Sequence, residues 1–171
     1  GASGGFAIRR IRVADVDGDP ELEVVALETY GSGSSTQTRA SVYSFDASGT
    51  LGAVQDATVV LQQGPRKMNL TDLNGDGAPD IVVKTDADAD GDIAIESYLN
   101  NGSGQFSRTG SIESSELCNN STARGIATGD FDDDGLTDVA VGDGCTGRAH
   151  IAFGDGTGQF DLFIELDQSP D

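Results

Sequence analysis

Short runs of apolar and β-branched residues, each ending in glycine or polar residues, recur along the whole chain. Runs of this length are typical of β-strands rather than helices. Two of them, at residues 24–27 and 81–83, are apolar at successive positions instead of alternate ones, which indicates strands with both faces covered. In the last third of the chain the pattern predicts four strands, at residues 123–129, 137–141, 148–153 and 160–166.

One acidic loop occurs three times, at residues 15–23, 72–80 and 130–138, and we number these loops one to three. Their starting points are 57 and 58 residues apart, so one structural unit is repeated. Each loop carries oxygen-bearing side chains at its positions 1, 3, 5 and 9. These side chains are Asp15, Asp17, Asp19 and Glu23 in loop one, Asp72, Asn74, Asp76 and Asp80 in loop two, and Asp130, Asp132, Asp134 and Asp138 in loop three.

The crowded carboxylates of each loop point to a metal ion. They repel one another in water, whereas a hard cation with about six to eight oxygen ligands turns the crowding into coordination. The loops therefore predict calcium sites. Position 7 is expected to add the main-chain carbonyls of Ala78 and Leu136, and Glu21 stands at that position in loop one.

Acidic side chains at loop positions 1, 3 and 5 are most familiar from the EF-hand, but the sequence excludes an EF-hand here. An EF-hand loop needs a bidentate glutamate at position 12, where these loops have Ala26, Val83 and Val141. A helix should also follow, yet a short β-branched run follows each loop. The position-9 carboxylate is therefore expected to close the site from the start of a strand, and the loop to join two antiparallel strands.

The repeat extends beyond the acidic loops. Tyr43, Tyr98 and Phe153 are expected to occupy equivalent places in the third strand of each unit, and each precedes a glycine-rich turn. Four-stranded sheets stacked face to face around an axis cover both faces of their second strands, as in a β-propeller. We expect an all-β fold of three four-stranded antiparallel blades of about 57 residues each, at residues 1–63, 64–113 and 114–171.

The loops resemble the FG-GAP and VCBS repeats of integrin α-chain-like propellers. The resemblance spans essentially the whole chain and rests most on residues 72–80, with Asn-Gly-Asp-Gly at their centre, and on residues 130–138. Loop one departs most, because Pro20 stands where the other two loops have glycine, and proline cannot adopt a left-handed conformation. Asp133 replaces a glycine in loop three, which is a milder change, since aspartate tolerates positive φ better than most residues.

The resemblance implies a calcium-stabilised extracellular module whose metal loops are structural and whose opposite end binds a ligand. Protein adhesion is the leading expectation. A lectin is the alternative, weakened by the absence of tryptophan for stacking on sugar rings. A third reading is a non-catalytic propeller fragment of a larger secreted enzyme. The implied recognition loops are residues 31–37, 63–66, 86–92, 114–120 and 142–147.

Charge and composition exclude several classes of function. A formal charge of -19 with ten scattered basic residues argues against nucleic acid, anionic lipid and heparin-like partners, which need clustered lysine and arginine. No apolar run approaches about 18 residues and no signal-peptide core is visible, so we expect no membrane insertion, although a mature or excised domain would look the same. Catalysis is not expected, because the single His150 reads as a half-exposed strand residue, and two cysteines with one histidine match no zinc module.

A further acidic cluster lies between the second and third strands of the middle unit. A solvated hairpin tip with Asp-Gly turn chemistry explains it, and we favour that interpretation because neither sister repeat is acidic there. The other interpretation is a fourth ion site, whose positions 1, 3, 5 and 9 are Asp88, Asp90, Asp92 and Glu96.

The two cysteines, Cys118 and Cys145, fall in segments expected at the end opposite the acidic loops, so they should lie close together. A disulfide is favoured over a pair of free thiols, because calcium sites of this type indicate an extracellular setting. We therefore expect a secreted or cell-surface protein.

Three blades do not close a ring, since propellers use about four to eight. The outer faces of the first and third blades are then expected to expose second-strand residues such as Val24, Val25, Val139 and Val141. We therefore expect either further blades in a longer parent chain or self-association, in which two copies give a six-bladed two-fold ring.

Overall fold

The computed structural model describes residues 5–31, 37–46, 48–61, 64–85, 93–114, 125–142 and 148–166. Across these ranges all regular structure is β-strand, and no helix there has the length and apolar character needed to cross a membrane. The strands are β1 (Gly5–Ala14), β2 (Glu23–Gly31), β3 (Gln37–Phe45), β4 (Leu51–Leu61), β5 (Pro65–Thr71), β6 (Asp80–Thr85), β7 (Ile93–Asn100), β8 (Phe106–Ser114), β9 (Ile126–Gly129), β10 (Asp138–Gly142), β11 (Ala149–Gly154) and β12 (Phe160–Leu166).

Each run of four consecutive strands forms an antiparallel sheet in chain order. Sheet one contains β1–β4, sheet two β5–β8 and sheet three β9–β12. The all-β class and the repeated four-stranded unit are thus confirmed for the described part of the chain. β12 has the predicted bounds, and the other strands of sheet three begin and end within three residues of theirs.

The acidic loops join the first and second strands of each sheet. Glu23, Asp80 and Asp138 open β2, β6 and β10, as expected for position 9. The glycine-rich turns join the third and fourth strands, and one of them reaches an acidic loop, because the N–H of Gly104 donates to the carbonyl of Val16 at 2.7 Å. The acidic loops and these turns therefore lie at one end of the sheets.

The three sheets pack face to face in chain order. Sheet two turns Ile81, Val83 and Tyr98 towards sheet one, and all three are fully buried there. It turns its other face, with Val82 and Ile95, towards sheet three. We call the face of sheet two towards sheet one its front and the opposite face its back. The faces of sheets one and three that are equivalent in register take the same names. Burial on both faces explains the unbroken apolar run of β6, as the sequence predicts.

The first strands of the sheets lie side by side. β1 packs against β5, and β5 packs against β9. Side-chain hydrogen bonds link the three strands, because Arg12 donates to Asn69 at 3.3 Å and Asn69 donates to Thr128 at 3.0 Å. This shared edge is consistent with propeller-like blades arranged around an axis.

The predicted equivalence of the third strands is wrong in sheet three. Ile81 pairs with Tyr98, whereas its counterpart Val139 pairs with Ala152 and not with Phe153. The reason is spacing: the turn after β11 follows its sister turn by 54 residues rather than 55. A one-residue slip moves a side chain to the opposite face of the sheet.

Burial corrects two further expectations. His150 is fully buried rather than half-exposed, because β11 turns it, together with Ala152, towards sheet two. Val25, Val139 and Val141 are also buried between sheets, so they do not lie on the outer faces.

Candidate metal centre

The first aspartate of each loop shapes the loop backbone. Asp72 accepts hydrogen bonds from the N–H groups of Gly75 at 2.7 Å and Gly77 at 2.8 Å. In loop three Asp130 accepts from the N–H of Gly135 at 2.9 Å. Aspartate is suited to such turns because its short side chain reaches the N–H groups that follow it. The candidate ligands thus also hold the loop in its shape.

Position 4 of every loop has a left-handed backbone. It is Gly18, Gly75 or Asp133, with φ of 82°, 76° and 62°. In the described part of the chain Asp133 is the one non-glycine residue with positive φ. The prediction that aspartate is accommodated at this place is therefore confirmed.

Position 6 separates loop one from the other loops. Gly77 and Gly135 have φ of 90° and 88° there, and each donates its N–H to the first aspartate of its loop. Pro20 has no N–H and no access to such an angle. Asp15 keeps the bond from the N–H of Gly18 at 2.8 Å, so loop one is held through position 4 without position 6.

The position-9 carboxylates are buried and tied to the loop. Glu23 is 1% exposed, and Asp80 and Asp138 are 0% exposed. Each of them accepts a hydrogen bond from the N–H of loop position 2. These donors are Val16 at 2.9 Å, Leu73 at 2.8 Å and Phe131 at 2.8 Å. The first residue of the second strand is thereby locked onto the second residue of the loop in all three repeats.

Two of these carboxylates have a second backbone anchor. The other oxygen of Asp80 accepts from the N–H of Asn100 at 2.8 Å, and that of Asp138 accepts from the N–H of Gly154 at 2.9 Å. Asn100 and Gly154 end β7 and β11. Among the described residues Glu23 forms no corresponding second bond. Loops two and three are therefore tied to the third strand of their own sheet as well.

Burial opposes ionisation at position 9. The pKa of Asp80 is raised to about 6, first by burial and then by the charges of Asp76 and Asp72, against two backbone N–H groups that lower it. Burial also raises the pKa of Glu23, and the carboxylates of its own loop add to the rise. A bound cation would oppose both effects, because it favours the ionised form.

The carboxylates of loops one and three fit a hard cation. In loop one, oxygens of Asp15, Asp17 and Glu23 all lie within 4.8 Å of one another. The same holds for positions 1, 3 and 9 of loop three, which are Asp130, Asp132 and Asp138. Calcium–oxygen distances of about 2.3–2.6 Å allow ligand atoms to be up to about 5 Å apart. Both loops therefore bring three predicted ligands to a separation that one ion spans.

Loop two differs because its position 3 is an amide. Asn74 donates a side-chain N–H to Asp76 at 2.9 Å. Its amide oxygen accepts from the backbone N–H of Asp76 at 3.1 Å. A cation bound at this loop would take the amide oxygen as a ligand and would therefore compete with these local hydrogen bonds.

Positions 5 and 7 are bonded to each other in every loop. Asp19, Asp76 and Asp134 each accept from the N–H of position 7 at 2.8 Å. The donors are Glu21, Ala78 and Leu136. Position 5 lies outside the groups of three carboxylates described above, so its role as a ligand stays a prediction.

The sequence did not reveal the residue that joins loop one to loop two. The buried side chain of Asn100 donates to the carbonyl of Val16 at 2.8 Å and to that of Pro79 at 3.2 Å. Its counterpart Gly154 has no such side chain, and a Cβ there would lie 2.2 Å from the carbonyl oxygen of Thr137. The one sign of this role in the sequence is that Asn100 and Gly154, which open the sister turns, differ.

The end opposite the acidic loops is only partly described. The Tyr30 hydroxyl and Gln37 oxygen lie 2.7 Å apart in a hydrogen bond, and the Arg39 guanidinium sits over the Tyr30 ring at 5.0 Å. The cysteine pair, Cys118 and Cys145, lies outside the described residues, as does most of every implied recognition loop except residues 63–66, of which one residue, Gln63, falls outside. The disulfide therefore stays a prediction.

The fourth candidate ion site also stays a prediction, because Asp88, Asp90 and Asp92 lie outside the described residues. Its remaining member, Glu96, is buried in β7, where it accepts hydrogen bonds from Tyr98 at 2.8 Å and Arg108 at 3.2 Å.

Comparison with protein families gives two matches to the FG-GAP-like repeat, at residues 15–83 and 85–141. The first match runs from loop one through loop two into β6, and the second runs from the end of β6 through loop three into β10. Searches of curated proteins and of solved structures found no match. Because the two matches cover more than half of the chain, the protein belongs to the FG-GAP-like repeat family.

Proposed function

We propose that the protein is a calcium-stabilised, extracellular β-propeller module that binds a partner. Its three blades are residues 1–63, 64–113 and 114–171. The family match supports a β-propeller-like module, and repeats of this family are generally non-enzymatic. The calcium loops have a structural role, and recognition takes place at the opposite end.

The observation that carries the calcium proposal is the position-9 arrangement. Three times over, a buried carboxylate closes onto the loop that precedes it. In the described residues the ion pairs join Arg39 to Glu28, Arg108 to Glu96 and Arg148 to Glu165, and none of these pairs involves a position-9 carboxylate. A buried carboxylate without a countercharge is costly even when backbone N–H groups bond to it, so a cation from solution is the natural compensation.

A calorimetric titration with calcium tests this proposal. We expect three loop ions per chain, and a fourth if residues 88–96 also form a site. Asp80→Asn should remove one ion. Asp155→Asn is the matched control, because Asp155 accepts hydrogen bonds within a turn outside the acidic loops. Absence of binding heat from calcium-free protein would contradict the proposal.

The proposed partner is an extracellular protein bound by the loops at 31–37, 63–66, 86–92, 114–120 and 142–147. The strong negative charge favours a partner that presents basic groups, because complementary potentials speed encounter. Tyr30, Gln37 and Arg39 are three of the described polar and aromatic groups near this end.

A carbohydrate ligand is the second candidate, favoured by the Tyr30 ring and its hydrogen-bonded neighbour Gln37. A glycan array run beside a pull-down from extracellular matrix separates the two ligand classes. Binding to matrix protein that survives deglycosylation supports adhesion, and binding to defined glycans supports the lectin. A parent reading frame that encodes a catalytic domain would instead make this module the non-catalytic part of a larger secreted enzyme.

A further inference from the structure

The front face of sheet one is apolar, and no other described sheet covers it. Ile8, Ile11 and Val13 are 56%, 55% and 56% exposed. They pair with Glu28, Ala26 and Val24 of β2, so all three side chains project from the same face. An apolar row of this kind is a candidate interface.

The sister sheet shows what covers this face. Ile11 and Val13 stand in the register positions of Met68 and Leu70, 57 residues further on, which pair with Val83 and Ile81. Met68 is fully buried and Leu70 packs on the same core, both against the back of sheet one. The front face of sheet one thus repeats a surface that elsewhere in the molecule is covered by the back of a sheet.

A polar feature on the same face repeats as well. On sheet one the buried carboxylate of Glu28 accepts hydrogen bonds from Tyr43 and Arg39. On sheet two the buried carboxylate of Glu96 accepts from Tyr98 and Arg108.

The two tyrosines occupy equivalent register positions, since Tyr43 pairs with Val24 and Tyr98 pairs with Ile81. Tyr98 is fully buried at the interface with sheet one, whereas Tyr43 is only half-buried. The front of sheet one therefore carries both the apolar row and the buried carboxylate network that are found at the interface between sheets one and two.

The back face of sheet three offers a surface of the complementary kind. Ala127, Ala140, Ile151 and Ile164 form one row across its strands. Ala140 occupies the position that is Val82 in sheet two, at a covered interface. Ile151 and Ile164 stand where sheet two has Ser97 and Gly110, so this row is more apolar than its covered counterpart.

We propose that the front face of sheet one docks on the back face of sheet three of a second copy of this chain. The inference rests on the proposed propeller, in which about four to eight blades close a ring, and two sets of the three described sheets give six. Two copies then make two identical contacts, each joining unlike faces, and the ring closes. Each copy carries a charge of -19, so bound calcium and salt favour the assembly.

Light scattering on the full chain in calcium, over a wide concentration range, tests this inference. The expected mass is twice the 17.6 kDa of one chain. Ile11→Asp on the front of sheet one and Ala140→Asp on the back of sheet three should each give single chains. An equimolar mixture of the two variants should recover a two-copy species, because one contact in that pair joins two intact faces.

Ser107→Asp is the control, since it adds the same charge at an exposed site of sheet two, which is covered on both faces by its neighbours. It should keep the two-copy mass. A single-chain mass for the unaltered protein at every concentration overturns the inference, as does a two-copy mass for Ile11→Asp. Calcium uptake, measured on the same samples by calorimetry, separates this failure from a failure of the proposed function, because it does not depend on the mass.

Discussion

Loops one and three bring the same three positions together and hold them with different bonds. In both, oxygens at positions 1, 3 and 9 lie within 4.8 Å of one another. Loop three has two bonds that loop one lacks within the described residues: Gly135 to Asp130, and Gly154 to Asp138. Pro20 excludes the first of these from loop one.

Loop one has other supports. Its position-9 side chain is the longer Glu23, which still reaches the N–H of Val16. The carbonyl of Val16 accepts hydrogen bonds from Gly104 and Asn100 of sheet two. Closure of position 9 onto position 2 is therefore the common requirement, and the remaining bonds can come from the loop, its own sheet or the next sheet.

The largest loss of stability is expected for Asp138→Asn, and Glu23→Gln is the variant to compare with it. The amide in Asp138→Asn turns an N–H towards one of two backbone donors, Phe131 or Gly154, so we expect a loss of about 2–4 kcal/mol in unfolding free energy. Glu23→Gln touches the single donor Val16 and should cost about half as much. Urea denaturation in excess calcium measures both, and equal losses would show that the second anchor is unimportant.

Asp76→Ala and Asp133→Ala test whether ligands or backbone shape distinguish the loops. Asp76→Ala removes a predicted ligand charge, and we expect calcium affinity of loop two to fall about 10–100-fold. Asp133→Ala should leave calcium affinity unchanged and cost about 1–2 kcal/mol of stability, because alanine tolerates positive φ poorly. Calorimetry and thermal melting separate the outcomes, and a matching loss of affinity in both variants contradicts the proposed register.

Low pH should weaken calcium binding at loop two, because Asp80 becomes protonated. Its pKa of about 6 means that calcium must displace a proton below that pH, so affinity should fall by up to about tenfold per unit as pH drops below 6. Without calcium the sign reverses. The raised pKa favours the neutral carboxyl in the folded state, so this group stabilises calcium-free protein at low pH and the contribution is lost as pH rises through 6. Calcium titrations at several pH values measure the fall in affinity, and an affinity that does not change with pH would contradict it. Thermal melts of calcium-free protein measure the pH dependence of stability.

Pro20→Gly is expected to have the smallest effect, and it tests directly whether position 6 accounts for the difference between loops one and three. Glycine restores both the N–H and the access to positive φ that loop three has at position 6. One added hydrogen bond of about 1 kcal/mol should raise calcium affinity of loop one about fivefold. The calcium-free protein should lose about 0.4–1 kcal/mol, because glycine frees the unfolded chain. Unchanged affinity would mean that position 6 does not limit loop one.

Much of the architecture was readable from the sequence because it is local. The acidic loops, the strands that begin at position 9 and the left-handed Asp133 follow from spacing and residue type. The 57-residue repeat then implied equivalent sheets, since the same local pattern recurs.

The rest depended on register and tertiary contact. The turn after β11 follows its sister turn by 54 residues rather than 55, which places Ala152 where Phe153 was expected, and the same register buries His150. The bridge formed by Asn100 joins residues 84 positions apart, so no local pattern announces it. Three of the four residues expected on the outer faces, Val25, Val139 and Val141, were misassigned, because the alternation of side chains in β2 and β10 was known only once the neighbouring sheets were in place.

Thermal melting of the unaltered chain, in calcium and in excess EDTA, shows whether the acidic loops need an ion. Three occupied loops, each at calcium about 100-fold above its dissociation constant, should add about 8 kcal/mol and raise the melting temperature by about 15–30 °C. Magnesium at the same concentration should do much less, since it demands octahedral geometry at shorter distances. A melting temperature that is the same in calcium and in EDTA would contradict the account, because the buried position-9 carboxylates would then need no ion.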